Sequence, residues 1–399
     1  MAPLRRRARR LAPRLSEAYM RHPRPVAFRP QNTSLRKVVF QIHLWTGIAI
    51  GLYLLVVCVT GAALVFRIHL QRAAFPDLFV TITGEPADAA TVLDRLRDVY
   101  PNDRISGIDA PTDLRPTTLA YVVRGETLLT ILVDPTTGRV LGELPDRSIV
   151  HTIQDLHFDL LGGRTGRIIN GAGGGLLFIL CITGLVIWWQ GVATWRRGFV
   201  VDVRRSWKRV NWELHSAVGI WSVCLIAMWA VTGVYFAFPS QFRRAVNAIS
   251  PLTVVTTPQS NPASAATSRP GWHELIDRAR QHAAGQYVQR VVLPSNDTAA
   301  FLVMFSATRP ASGRENLTPV YLDQYTGEVL RMPSRAERSA GDIVVDWMAP
   351  LHVGSFGGTT IRVAWLVLGL APPFLFVTGF IMWWSRVVKP RWLTARRAA

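Results

Sequence analysis

Four histidines stand at matched places in this 399-residue chain. His43 is followed by Gly47-Ile48, Thr60-Gly61 and Phe66, and the same set returns 172 residues later as His215, Gly219-Ile220, Thr232-Gly233 and Phe238. A second set runs Leu156-His157, Gly162-Gly163, Arg167, Thr183-Gly184 and Trp188-Trp189. It returns 195 residues later as Leu351-His352, Gly357-Gly358, Arg362, Thr378-Gly379 and Trp383-Trp384. Imidazole offers a nitrogen lone pair to iron, copper or zinc. Ionisable side chains at the edges of long apolar runs are rare and mark function. Four matched histidines in a duplicated chain therefore read as paired ligands around a cofactor.

The elements that must position them are apolar runs over about 44–66, 168–189, 217–238 and 363–384, none of which contains Asp, Glu, Lys or Arg. Each approaches the roughly 20 residues that cross a bilayer core as helix. Residues 1–42 hold eleven Lys/Arg against one acid, residues 190–214 six against two, and residues 385–399 five against none; these segments carry the whole net charge of +19. Positive charge flanking spans marks the cytoplasmic side. Both termini and the middle loop are thus expected in the cytoplasm, and the loops 67–167 and 239–361 in the periplasm of a bacterial inner-membrane protein. Attraction to anionic lipid accounts for the basic tail, so no nucleic-acid partner is expected. No removable signal peptide is read at the N-terminus. Cys58, Cys181 and Cys224 fall within spans, and no C-x-x-C-H occurs, which excludes covalent c-type haem.

The chain divides into a basic tail (1–34), a first span (35–66), an external segment (67–150), and a histidine motif with the second span (151–190). A cytoplasmic loop (191–212), a third span (213–238) and a second external segment (239–345) follow. A histidine motif with the fourth span (346–385) and a last tail (386–399) complete it. Each external segment reads as a small α+β unit: a helix at 87–100 with strands at 118–123, 128–133 and 140–141, then a helix at 272–284 with strands at 288–293, 300–305, 319–322 and 328–330. Asp134-Pro135-Thr136-Thr137-Gly138 and Asp323-Gln324-Tyr325-Thr326-Gly327 are the turns between the last two strands of each unit. Residues 250–270 read as a linker.

Four spans, two Asp-x-x-x-Gly turns in external units and the Leu-His…Gly-Gly motifs at 156–163 and 351–358 together resemble the PepSY-associated transmembrane proteins, over about 35–390. The fold this implies is four transmembrane helices from an internal duplication with two small α+β PepSY-like periplasmic domains. Some members are ferric-siderophore reductases that hold haem between their helices. The resemblance therefore implies an oxidoreductase that passes electrons to a periplasmic ferric siderophore or other ferric chelate.

Imidazole is a standard axial ligand of haem iron. We read His43, His215, His157 and His352 as axial ligands of two b-type haems per chain. A pseudo-two-fold axis along the membrane normal would pair His43 with His215 near the inner face and His157 with His352 near the outer. Mixed pairing involving His69 or His151 is the rival. The matched histidines could also cap helices or hydrogen-bond at the interface, and His22, His273 and His282 read as surface residues. Arg167 and Arg362 suit haem propionates or an anionic chelate through paired hydrogen bonds, or interfacial snorkelling. The glycines suit close helix packing, the Trp-Trp pairs an interfacial belt, and Pro372-Pro373 a kink in the fourth span. No hydrolase, Walker or G-x-G-x-x-G pattern occurs. Electrons would then come from a separate cytoplasmic donor: a flavin, a reductase or a quinol. The competing readings are a non-enzymatic PepSY membrane module that binds a partner or regulates a protease, and a haem carrier or sensor.

Overall fold

Four helices long and apolar enough to cross a membrane dominate the chain: Ser34–Leu64, Gly163–Trp188, Trp207–Ala237 and Gly358–Val388. The computed structural model describes residues 34–390 apart from 81–83, 113–114, 190–194, 254–256, 265–268, 309–316 and 334–337. The basic N-terminal tail, His22 within it and most of the last tail lie outside the described residues.

The first three spans are α1 (Ser34–Leu64), α5 (Gly163–Trp188) and α6 (Trp207–Ala237). The fourth is broken at Leu370 into α10 (Gly358–Gly369) and α11 (Ala371–Trp383). Pro372 and Pro373 occupy the first turn of α11, where a missing N–H costs nothing and the ring cannot continue the preceding helix. In the bundle α1 packs on α5 and α11, and α6 on α5 and α11. Leu52, Trp221 and Val367, each more than 60% exposed, are the kind of side chain such a ring presents to lipid. Arg36 donates to the carbonyls of Ile187 and Trp189 and so satisfies the free C-terminal end of α5.

Between the spans lie α2 (Arg67–Ala74), α3 (Ala89–Val99), strands β1 (Arg104–Asp109), β2 (Thr118–Arg124), β3 (Thr127–Val133) and β4 (Val140–Glu143), and α4 (Ile149–Asp159). The second half supplies α7 (Pro239–Ile249), α8 (Trp272–His282), β5 (Tyr287–Val292), β6 (Phe301–Ser306), β7 (Thr318–Leu322), β8 (Val329–Arg331) and α9 (Ala340–Val353). Asp134 Oδ1 accepts from the amides of Thr136 and Thr137, Asp323 Oδ1 from those of Tyr325 and Thr326, and both turns close on a glycine at φ +71°.

The sequence reading anticipates two separate units. Instead the strands form one eight-stranded antiparallel sheet in the order β4-β3-β2-β1-β5-β6-β7-β8. The seam is β1 against β5, with Gly107 opposite Val292 and Asp109 opposite Arg290. β1 itself escapes the sequence reading because Ser106-Gly107 interrupts its apolar alternation. A Cβ at Gly107 would stand 2.4 Å from the Val291 carbonyl oxygen, so the close strand approach needs glycine there. Pairing at the seam removes the open edge each unit would otherwise expose. One apolar core crosses it, joining Leu93 and Leu96 of α3 to Ile276 and Ala279 of α8 and to Ile131, Val303 and Phe305 on the strands. Trp272 Nε1 donates to Asp94 from across the same junction, at 2.7 Å.

Buried at the seam, Asp109 accepts from Nε and Nη2 of Arg290 and from the Tyr121 hydroxyl, the last at 2.9 Å. Asp109→Ala strips all three donors of their acceptor. The expected loss is about 1–3 kcal/mol of unfolding free energy, read as a lowered thermal midpoint of the purified protein. Tyr121→Phe, which removes one bond of the three, is expected to cost less.

Candidate functional site

His43 on α1 and His215 on α6 face each other near the end of the bundle that carries the basic segments, their ring centres 6.5 Å apart and their planes at 90°. Both line an apolar cavity of about 570 Å³ that runs from Gln41, Trp212 and Arg386 to Leu54, Ile226 and Pro372. Toward the sheet, His157 and His352 form the second pair, ring centres 6.1 Å apart. The structure thus brings like with like.

His157 and His352 sit on their own short helices, α4 and α9, which precede the spans. The chain turns between each short helix and its span before the Gly-Gly doublet is reached. In the second half the turn begins at Gly354 with φ +71°. In the first it begins at Leu160 and Leu161, both at positive φ (54° and 60°). Two leucines in the left-handed region are strained. They hold the reversal that returns the chain from α4 into α5. At the far end of α9 Ser339 and Asp342 form a reciprocal capping box, and Asp342 also accepts from Thr253.

Threonines hold three of the four rings, and a main-chain carbonyl holds the fourth. Nδ1 of His43 lies 3.0 Å from Thr183 Oγ1, that of His215 2.9 Å from Thr378 Oγ1, and that of His352 2.8 Å from Thr232 Oγ1. His157 Nδ1 lies 2.9 Å from the Val57 carbonyl oxygen and 3.4 Å from Thr60 Oγ1. A carbonyl only accepts, so His157 Nδ1 carries the proton. Each of the other hydroxyls lies 2.8–2.9 Å from the carbonyl four residues back in its own helix (Ile179, Met228 and Phe374) and donates there. It is left to accept from Nδ1. The carbonyl fixes the proton on Nδ1 in His157, and the hydroxyls' own donations favour the same tautomer, with the lone pair on Nε2, in the other three rings.

The glycine after three of the four threonines makes room for the ring. A Cβ would stand 2.6 Å from His157 Cε1 at Gly61, and 3.3 Å from the Cε1 of His43 and of His215 at Gly184 and Gly379. Gly233 faces open space. Further clamps hold the C-terminal carbonyls of the short helices. Asn170 Nδ2 donates to His157 O at 2.7 Å, Trp365 Nε1 to Leu351 O at 2.8 Å and Trp229 Nε1 to His352 O at 3.1 Å. Asn170 is itself held by the Tyr53 hydroxyl.

The matched arginines part company. Arg167 is exposed, whereas Arg362 is buried, donates to Val65 O and lies over the Phe66 ring. The difference follows from α10 packing on the end of α1. His69 is exposed and 3.4 Å from Arg362, and His151 pairs with Asp155 on its own helix, so neither joins a histidine pair. His273 is exposed and bonds Asp94; His282 bonds the Arg278 carbonyl. Sequence reasoning missed the threonine braces and the clamps at Tyr53, Asn170, Trp229 and Trp365. The signal for the braces was present, because all four Thr-Gly dipeptides belong to the repeated sets.

A four-span membrane protein with two stacked histidine pairs and a strand-paired sheet at one end of the bundle is the class these features define. Residues 40–386 match the family described as the PepSY-associated TM region, and the chain belongs to that family. No curated protein matches the chain as a relative.

Matched glycines are expected to respond differently. Gly61→Ala drives a methyl into His157 and is expected to cost about 1–3 kcal/mol by overpacking. Gly233→Ala meets nothing and should be neutral or slightly stabilising. Paired thermal unfolding curves check this. A pH effect is expected at α9. Burial pushes the Asp342 carboxyl up, but hydrogen bonds from Thr253 and Ser339 outweigh it and hold the group below its ordinary 3.8. Its contribution is therefore complete above that value and is lost as pH falls through the lower folded one. Amide exchange in α9, referenced to α5, should rise on acidification below about pH 4 and should rise less in Asp342→Asn.

Proposed function

We propose that this chain is an inner-membrane oxidoreductase that holds two b-type haems and moves electrons from the cytoplasmic side to a ferric siderophore or other ferric chelate in the periplasm. The observation that carries this reading is the pair of facing histidines at each of two levels of the bundle. An iron bonded to one nitrogen of each ring at about 2 Å, the usual imidazole–metal distance, needs ring centres roughly 6 Å apart, since each centre lies about 1 Å behind its nitrogen. The separations of 6.5 and 6.1 Å meet that need.

The donor set also fits. Among the described residues no three His, Cys, Asp or Glu side chains gather as they would around a bare ion. Two imidazoles per site suit a metal whose remaining ligands come with it, as in a porphyrin. The apolar cavity beside His43 and His215 has the size and lining of a cofactor site. His43, His215, His157 and His352 would hold the iron through Nε2. Bound haem supplies reversible one-electron transfer, which side chains do not.

The remaining residues orient and enclose. The cavity top at Leu54 lies three residues from Val57, which anchors His157, so the two sites approach within about one helical turn of α1. Positive charge at the His43 end supports placing that end, and both termini, in the cytoplasm, where a flavin, a reductase or a quinol delivers electrons. The sheet then lies in the periplasm. Buried Arg362 is the cation best placed to hold an anionic group at the outer mouth. One electron reduces ferric to ferrous iron, whose weaker hold on hard oxygen donors frees the metal from the chelate. The matched halves, each with an Asp-x-x-x-Gly turn, support descent from a duplication and a PepSY-like character for both α+β units.

Purified protein is expected to show a haem absorption spectrum with two haems per chain. His43→Ala with His215→Ala, and His157→Ala with His352→Ala, should each remove one. Dithionite-reduced protein should be reoxidised stoichiometrically by an added ferric siderophore. A folded protein free of haem would sink the proposal in favour of a partner-binding PepSY module. Haem that the chelate cannot reoxidise would leave a carrier or sensor.

A further inference from the structure

We infer that Thr183, Thr378 and Thr232 are positioning residues that set the electronic character of the histidines they hold, whereas Thr60 is dispensable because a main-chain carbonyl does its work. This rests on the haem reading above and extends it to residues that do not touch the cofactor.

The geometry begins with the imidazole itself, which has one N–H and one lone pair when neutral. A ligand needs its lone pair on the nitrogen that faces the metal. The other nitrogen must then carry the proton and, in an apolar bundle, must give it to an acceptor. What that acceptor is alters the ligand: a stronger acceptor draws the Nδ1 proton outward and makes Nε2 more basic, and outer partners of this kind tune metal sites. A more basic ligand favours ferric over ferrous iron and so lowers the reduction potential.

Three of the four rings have a threonine hydroxyl as their nearest acceptor, at 2.8–3.0 Å. Each hydroxyl has already given its own proton to a carbonyl in its helix. That donation polarises the hydroxyl oxygen and strengthens it as an acceptor, in a short chain from imidazole to hydroxyl to backbone. It also disfavours the opposite tautomer, because a hydroxyl donating to its own helix has no second proton for Nδ1. The bond therefore biases which nitrogen keeps the lone pair.

The fourth ring differs in which partner is closer, since the Leu180 carbonyl also bears on His43 and the Leu375 carbonyl on His215 beside their threonines. His157 Nδ1 is 2.9 Å from the Val57 carbonyl and 3.4 Å from Thr60 Oγ1. A backbone carbonyl cannot be removed by a side-chain substitution, so its hold on His157 survives loss of the Thr60 hydroxyl. All four threonines are followed by glycine, yet they are predicted to be functionally unequal.

The braces also link helices. Thr183 on α5 holds the histidine of α1, Thr378 on α11 that of α6, and Thr232 on α6 that of α9. Each brace fixes ring rotation as well as protonation, since a hydrogen bond in the ring plane resists turning about the Cβ–Cγ bond. Loss of a brace should thus change the relative orientation of the two ring planes, which low-spin haem reports directly in its electron paramagnetic resonance spectrum.

Thr→Val keeps shape and deletes the hydroxyl, while Thr→Ser keeps the hydroxyl. Thr183→Val with Thr378→Val should retain two haems per chain, shift one midpoint potential upward and change one set of resonance g-values. Thr232→Val should do the same to the other haem, and Thr60→Val should leave both haems as in the parent. Serine at 183, 378 and 232 should restore the parent potentials and spectra. Parent-like potentials and spectra in the valine variants at 183, 378 and 232, with haem content intact, would overturn the inference. So would a Thr60→Val shift as large as that of Thr232→Val. If valine variants lose haem, serine variants decide: recovery with serine supports the brace, and equal loss with serine overturns it. A parent protein without haem defeats the proposed function instead, and is seen before any threonine is changed.

Discussion

An imidazole inside an apolar bundle has to hand its N–H to something, and that requirement dictates much of the rest. An N–H left unpaired in such a place costs about 1–3 kcal/mol. His43, His215 and His352 are answered by a threonine on a neighbouring helix at the right height, and His157 by a main-chain carbonyl three residues before one. The threonines can serve because a helix offers them a carbonyl four residues back. The ring then needs space beside the threonine, which glycine provides at Gly61, Gly184 and Gly379. Helix spacing, helix order and the small residues along the seams follow from keeping the rings satisfied on one side and open on the other.

The sheet answers a different physical demand. Two four-stranded units, each with an exposed edge, would be prone to pair with other chains. Here each covers the other's edge through β1 and β5. Asp109 closes the junction with Arg290 and Tyr121, while the α3–α8 layer shares one core across it. All four spans feed into or out of this single sheet at one end. The large cavity lies toward the other end, lined there by Gln41, Trp212 and Arg386.

Much of this was legible in the sequence, for reasons that can be named. The spans announce themselves by runs without charge, and the histidines by identical spacing in two halves. The like-with-like pairing followed from assuming a two-fold relation between those halves. What escaped was whatever depends on cross-chain proximity. β1 hides because Gly107 serves a neighbour 185 residues away. Thr183 and Thr378 repeat visibly, but nothing local says that each faces a histidine on another helix. Arg167 and Arg362 occupy matched positions of the repeat and have opposite fates, because only Arg362 meets the end of α1. The reversal at Leu160-Leu161 was unreadable, since leucine is the wrong residue to expect at positive φ. The asymmetry of the two halves is tertiary, and the repeat conceals it.

One spacing has a consequence for life in a bilayer. α1 carries His43 and, seventeen residues on, Thr60; α6 carries His215 and, seventeen residues on, Thr232. At about 1.5 Å per residue, both helices mark off the same interval of roughly 25 Å between one histidine level and the other. Helices meet a thinner or thicker bilayer by tilting. Tilt turns that interval without stretching it, because the rise is fixed by backbone hydrogen bonds. The two levels therefore keep their separation across membranes of different thickness, and a distance-dependent process running between them is buffered against lipid composition.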